Sequence, residues 1–138
     1  MASPDKSALA RRKVLFVDDD GDARHLTGVL LRAHGADVTA VGSGHEALEA
    51  LRTQRFDAIV SDLAMPDLDG YELMRAIRQL PPELGGNIAA IAVTGHANPS
   101  DRREALAAGY DWHIAKPVAA LTLIDLIDGV ILGKRMPD

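Results

Sequence analysis

The sequence predicts an α/β fold in which a parallel β-sheet is covered by helices on both faces. Two observations carry this expectation. Short aliphatic runs alternate five times with segments whose apolar residues recur at helical spacing. Four of the five runs also stop at a polar or charged residue, which suits buried parallel strands whose carboxyl ends open onto a site.

The first run, residues 14–17, ends at three consecutive aspartates, Asp18, Asp19 and Asp20. A helix follows, with Leu26, Val29, Leu30 and Ala33 as its apolar stripe and Gly35 as its stop. Residues 37–41 read as the second strand. Ser43-Gly44-His45-Glu46 then resembles a capping box, opening a helix with Ala47, Leu48 and Leu51 on one face. Residues 58–61 form the third strand, which ends at Asp62. Asp69 caps a helix that buries Leu73, Met74 and Ile77, and residues 81–86 are a loop rich in Pro and Gly. The fourth strand, 88–93, ends at Thr94. Asn98-Pro99 starts a helix stopped by Gly109, and the fifth strand, 112–115, ends at Lys116-Pro117. The last helix carries Leu121, Ile124, Ile127 and Ile131. Right-handed crossovers would then put all the strand ends on one edge.

Composition bounds what this fold can do. The 138 residues suit one domain, and no internal repeat or change of composition marks a second. With 47% hydrophobic but only 4% aromatic residues, the core must be built from Val, Ile, Leu and Ala. The absence of cysteine excludes a disulfide framework, a thiolate metal site and a cysteine nucleophile. No apolar run approaches the ~20 residues that cross a bilayer, and the first residues lack the apolar stretch of a signal peptide, so a soluble, cytoplasmic chain is expected. A net charge of −5 argues against nucleic acid as the main partner.

The strand ends collect Asp18 with Asp19, then Asp62, Thr94 and Lys116. Carboxylates gathered this closely repel one another and raise each other's pKa unless a cation intervenes. Ligands that are all oxygen favour a hard ion, Mg²⁺ over Ca²⁺, since no twelve-residue EF-hand loop is visible. A lysine and a threonine beside such an ion make a phosphoryl pocket, in which metal, ammonium and hydroxyl each meet one oxygen. Any one of these residues alone is more simply a cap or a turn residue. Their joint occurrence at four strand ends is what points to chemistry.

Val17-Asp18-Asp19-Asp20, the stretch Ser61-Asp62-Leu63-Ala64-Met65-Pro66-Asp67-Leu68-Asp69-Gly70, Thr94-Gly95-His96 and Ala115-Lys116-Pro117 together resemble the receiver domain of two-component response regulators. The resemblance implies a flavodoxin-like (βα)5 sheet of strand order 2-1-3-4-5. It divides the chain into a flexible N-terminal tail over 1–12, the receiver domain over 13–132 and a C-terminal tail over 133–138. It makes Asp62 the phosphoacceptor, and it makes Asp19, Asp62 and the Ala64 carbonyl ligands of Mg²⁺, with Asp18 acting mainly through a metal-bound water. Thr94 and Lys116 would contact the phosphoryl oxygens, Thr94 and His113 would form the switch, and Asp20 would be a nearby loop acid.

The implied partners are a histidine kinase or histidine phosphotransfer protein, and a downstream protein on the face formed by the fourth helix, fifth strand and fifth helix, near Trp112. A homodimer is also compatible with the family. The stretch from Thr94 to Pro117 further resembles receivers of hybrid histidine kinases. Ala64, His96 and His113 depart from the residue types common at their positions, which bears on phosphoryl lifetime and switching rather than on the acceptor.

Two other functions are weighed. An adaptor of the same architecture would work through protein contacts whether or not Asp62 is phosphorylated. A metal-dependent phosphatase would also place aspartates at strand ends, but no Asp-x-Asp pair follows the first strand in the required sense, and no cap domain or substrate pocket is expected to fit into 138 residues. No P-loop pattern is present.

Overall fold

Aliphatic residues at consecutive positions can be buried on both faces of a strand, provided that helices cover both faces of the sheet. The computed structural model, which describes residues 11–95 and 98–137, pairs all five aliphatic runs side by side. The strands are β1 (Lys13–Val17), β2 (Asp37–Val41), β3 (Ala58–Asp62), β4 (Ala89–Thr94) and β5 (Trp112–Ala115). Their order in the sheet is β2-β1-β3-β4-β5, and every pairing is parallel. The five connecting helices are α1 (Gly21–Ala33), α2 (Gly44–Thr53), α3 (Gly70–Arg78), α4 (Pro99–Ala108) and α5 (Ala120–Ile131). This is the flavodoxin-like architecture that the resemblance implied.

Strand alternation sorts the core into two layers. Leu15, Val17, Ile59, Ala90 and Ala92 pack with buried residues of α2, α3 and α4 on one face. Val14, Phe16, Val60, Ile91 and Val93 pack with Leu31 of α1 and with Leu123, Ile124 and Ile127 of α5 on the other. Register then fixes where the strands end. Val17 lies opposite Ser61, Asp62 opposite Val93, and Thr94 opposite Ala115, so the residues at or just after these ends share one edge of the sheet.

Two apolar stripes turn out differently from the sequence expectation. On α1, Leu26 is 60% exposed and Val29 46%, Ala33 is also exposed, and the buried residues are Gly28 and Leu31. The helix is turned by about one residue, ~100° of rotation. The side that faces inward is the less apolar one, with Ala23, Thr27 and Leu30 half-buried beside Gly28 and Leu31. On α5, Leu121 is likewise exposed, while Leu123, Ile124, Leu126, Ile127 and Val130 are buried and Ile131 is half-buried.

Caps follow the sequence more closely. Asp69 and Glu72 form a full capping box at α3. At α2, Ser43 accepts from the Glu46 N–H at 3.1 Å, but the Glu46 carboxylate accepts from Gly42 rather than Ser43, at 2.7 Å. The Pro-rich loop contains one 3-10 turn, Pro82–Leu84, and closes on Gly85 at φ +103°.

Residues 1–10 of the N-terminal tail lie outside the described residues. At the other end, residues 133–136 fold back onto the start of β5. The Lys134 N–H donates to Gly129 at 2.9 Å and the Met136 N–H to Asp111 at 2.9 Å, Arg135 pairs with the Asp111 carboxylate at 3.0 Å, and the Lys134 ammonium lies 5.0 Å from the centre of the Trp112 ring.

Candidate functional site

The loop after β1 uses its three aspartates differently. Asp18 is 3% exposed, and its N–H still donates to Val41 of β2 at 3.1 Å, so the ladder runs up to the site itself. Its side chain accepts from the Asp20 N–H at 2.9 Å. Asp20 is the N-cap of α1, accepting from the N–H groups of Asp22 and Ala23 at 3.0 and 3.2 Å. The expected loop acid is therefore a helix cap. Asp19, between them, is exposed, and its carboxylate accepts no hydrogen bond among the described residues.

Asp62 ends β3 and is 6% exposed. One carboxylate oxygen accepts from the Ala64 N–H at 3.2 Å, and the other accepts from the Lys116 ammonium at 2.9 Å. Lys116 also lies 3.9 Å from Asp18. Its backbone N–H donates to the Thr94 carbonyl at 2.7 Å, which ties the loop after β5 to the end of β4. Carboxylate oxygens of Asp18, Asp19 and Asp62 all come within 4.8 Å of one another. The strand ends thus bring together the aspartates and the lysine picked out from sequence.

The charges balance only in part. Burial pushes the Asp18 carboxyl above the ordinary carboxylate value; the Asp20 N–H and Lys116 work against this, while Asp62 and Asp19 add to it. Burial alone would lower the Lys116 pKa, but its hydrogen bond to Asp62 and the charges of Asp62, Asp18 and Asp19 outweigh that and hold it above the ordinary lysine value. One ammonium thus faces three carboxylates. The donors are oxygens only, and the outermost carboxylate is unengaged, which is the chemistry that a hard divalent cation takes up.

Thr94 is buried at the end of β4 and lines a second cavity with Leu63, Ala64, Met65 and Asp101. His113 is 4% exposed on β5, opposite Ala92 and on the sheet face toward α4. Its Nε2 has no hydrogen-bond partner among the described residues. Burial pushes this imidazole below its ordinary value, Asp101 opposing the shift and Arg102 adding to it. Trp112 points to the opposite sheet face and is half-buried. His96 lies outside the described residues.

Two features had no clear signal in the sequence. A cavity of about 460 Å³ runs from Asp18, Asp62 and Lys116 between α1 and α5, walled by Leu30, Leu31, Val118 and Leu123. Arg24 in α1 donates to the Asp18 carbonyl at 2.7 Å. An arginine in the first turns of a helix reads as a solvated charge until the loop that it meets is known.

Comparison with known proteins agrees with this geometry. A family model for the response regulator receiver domain matches residues 14–128. An uncharacterized 14.6 kDa protein in the sodA1 3' region of Leptolyngbya boryana is 42% identical over 125 residues, covering 91% of this chain and 94% of that protein. The sensor histidine kinase GacS of Pseudomonas protegens is 34% identical over 142 residues, and the match covers 99% of this chain but 16% of that kinase. Among solved structures, chemotaxis protein CheY4 of Vibrio cholerae superposes with a TM-score of 0.82 at 30% identity, covering 88% of this chain and 99% of that one. The receiver domain of sensor histidine kinase PA1611 from Pseudomonas aeruginosa, solved with a magnesium ion coordinated in its active site cleft, gives 0.81 at 34% identity and covers 90% of this chain and all of that one.

Proposed function

Because this chain belongs to the response regulator receiver domain family, we propose that it is a phosphoacceptor of a two-component phosphorelay, taking a phosphoryl group on Asp62 in a Mg²⁺-dependent reaction. The observation that carries the reading is the pairing of Asp62 with Lys116 at 2.9 Å inside a cluster of three carboxylates. Asp19, Asp62 and the Ala64 carbonyl would hold the ion, with Asp18 acting through a bound water. When bound, the ion supplies positive charge for the oxygens of the transferring group.

The residues of the chain account for the rest. A carboxylate oxygen of Asp62 attacks the phosphorus of a phosphoimidazole or of a small acyl phosphate. A P–O bond forms as the bond to the leaving imidazole or carboxylate breaks, and the leaving group keeps the electron pair. Lys116, held protonated by its neighbours, gives up its contact with free Asp62 for one with the new phosphoryl oxygens. The Thr94 hydroxyl meets another oxygen. Most of the acceleration would be positioning, because Asp62 and Lys116 are already paired at 2.9 Å before any donor arrives. The product is an acyl phosphate that water can hydrolyse, and no turnover of an external substrate is expected.

Thr94 and His113 would carry the change to α4, β5 and α5, the surface offered to a downstream protein. The donor would be a histidine kinase or histidine phosphotransfer protein of the cytoplasm. No helix among the described residues is long and apolar enough to cross a membrane. Incubation with acetyl phosphate and Mg²⁺ tests the proposal. One hydroxylamine-labile phosphoryl mass should appear on the wild type and none on Asp62→Asn, and labelling of that variant with the same lability would overturn the assignment.

A further inference from the structure

Arg24 is fixed on three sides although it belongs to none of the motifs. Its Nη1 donates to the Asp18 carbonyl at 2.7 Å. Across the β2–α2 turn, a Cβ placed on Gly42 would stand 3.0 Å from that Nη1 and 3.4 Å from Cζ, so a side chain there would make the guanidinium give by a few tenths of an ångström. On its own loop, a Cβ on Gly21 would come within 3.6 Å of Nη2. The Gly42 N–H is itself held by the Glu46 carboxylate at 2.7 Å. The arginine therefore braces the loop after β1 against the turn after β2.

The carbonyl that it holds belongs to the peptide joining Asp18 to Asp19. Asp18 has its own anchor in the Asp20 N–H, and Asp20 is anchored as the cap of α1. Asp19 has neither, and its aim depends on the orientation of the peptide plane that precedes it. We infer that Arg24 is a positioning residue for the cation site, holding the Asp18–Asp19 peptide so that the Asp19 carboxylate points into the space shared with Asp18 and Asp62. This rests on the Mg²⁺-dependent reading above.

The inference separates cleanly from a simple charge effect. A guanidinium at the Asp18 carbonyl brings positive charge near the cation site, so if charge alone mattered, removing it would tighten binding. If position matters, removing it loosens binding, as losing an outer partner of a metal ligand does. The two effects have opposite sign.

The test is calorimetric Mg²⁺ titration of the purified chain at fixed ionic strength, with thermal melting to verify folding. Arg24→Ala should bind Mg²⁺ about tenfold more weakly than wild type. Arg24→Lys, whose ammonium can still donate to the carbonyl, should recover part of the loss. Gly42→Ala keeps the charge but crowds the guanidinium by a few tenths of an ångström, and should weaken binding less than Arg24→Ala does, which gives a reading even if Arg24→Ala fails to fold. Unchanged or tighter binding in Gly42→Ala, or in a folded Arg24→Ala, would overturn the inference while leaving the phosphoacceptor reading intact. Failure of the wild type to bind Mg²⁺ would overturn both.

Discussion

Burying the Asp18 charge is costly, with the neighbouring carboxylates adding to that cost, and replacing Asp18 by asparagine should remove it. Asp18 and Asp62 are both buried, and their oxygens approach within 4.8 Å. At that distance two unit charges repel by about 3.5 kcal/mol at an effective dielectric of 20, and by about 0.9 kcal/mol in bulk water. Asp19 adds a smaller repulsion because solvent screens it. Against these stands the attraction of Lys116 at 3.9 Å, itself discounted because 39% of that side chain is exposed. Asp18→Asn removes two repulsions and one attraction that roughly cancel, the attraction being about 4.3 kcal/mol at the same dielectric before that discount. The same substitution removes the cost of burying the Asp18 charge, which is the largest cause of its raised pKa. It also keeps an oxygen for the Asp20 N–H.

The net gain should be about 1 to 2 kcal/mol, or roughly 3–6 °C in melting temperature for a chain of this size. The assay is thermal melting followed by circular dichroism in EDTA, repeated at saturating Mg²⁺. The variant should melt higher than wild type in EDTA, and the ion should close the gap by stabilising the wild type more. A variant that melts at or below wild type in EDTA would refute the electrostatic account of the site.

Three further outcomes are expected. His113→Phe should stabilise the chain by about 1–2 kcal/mol by removing a buried nitrogen without a partner. It should also flatten the pH dependence: an imidazole whose folded pKa lies below its ordinary 6.5 contributes stability above 6.5, and that stability is lost as pH falls through 6.5 toward the folded value. Melting curves between pH 7 and pH 5 measure both effects, and equal slopes for variant and wild type would discount them. Gly70→Ala should cost about 2–3 kcal/mol, because its Cβ would stand 2.5 Å from the Asp62 carbonyl oxygen and 2.7 Å from the Leu63 Cα; the urea midpoint should fall with an unchanged slope. Beryllofluoride with Mg²⁺ should alter the emission of Trp112, the one tryptophan in the chain, and Thr94→Ala should blunt the change. Unchanged emission, with binding verified separately, would disconnect β5 from the site.

Strand ends were legible because burial on both faces leaves an unbroken aliphatic run, and a run that stops at Asp18, Asp62, Thr94 or Lys116 announces its own boundary. The helices that carry strong stripes, such as α3 with Leu73, Met74 and Ile77, were legible for the same reason. On α1 the pattern misled. Two stripes compete there, and local apolarity favours Leu26 and Val29, whereas the folded helix buries Gly28 and Leu31. The same holds within the site. Residue type marked the aspartates for chemistry, but only the loop geometry shows that Asp20 is spent on a helix end and that Arg24 reaches the Asp18 carbonyl. The contacts of residues 133–136 were illegible because Asp111 and Trp112 become their neighbours only once β5 is in the sheet.

The start of α3 is clamped from two directions. Gly70 abuts the Asp62 backbone, and its carbonyl accepts the buried Tyr110 hydroxyl at 2.8 Å, forty residues along the chain. α4 sinks only Ala105 and Ala108 into the core, and its fastening lies at the far end, where the Gly109 carbonyl accepts from the Arg78 guanidinium at 3.0 and 2.6 Å. The frame around the acceptor is consequently tied close to Asp62 on the α3 side and only at a distance on the α4 side. If Asp62 takes a phosphoryl group as proposed, the near end of α4 is where the fold would have most room to respond.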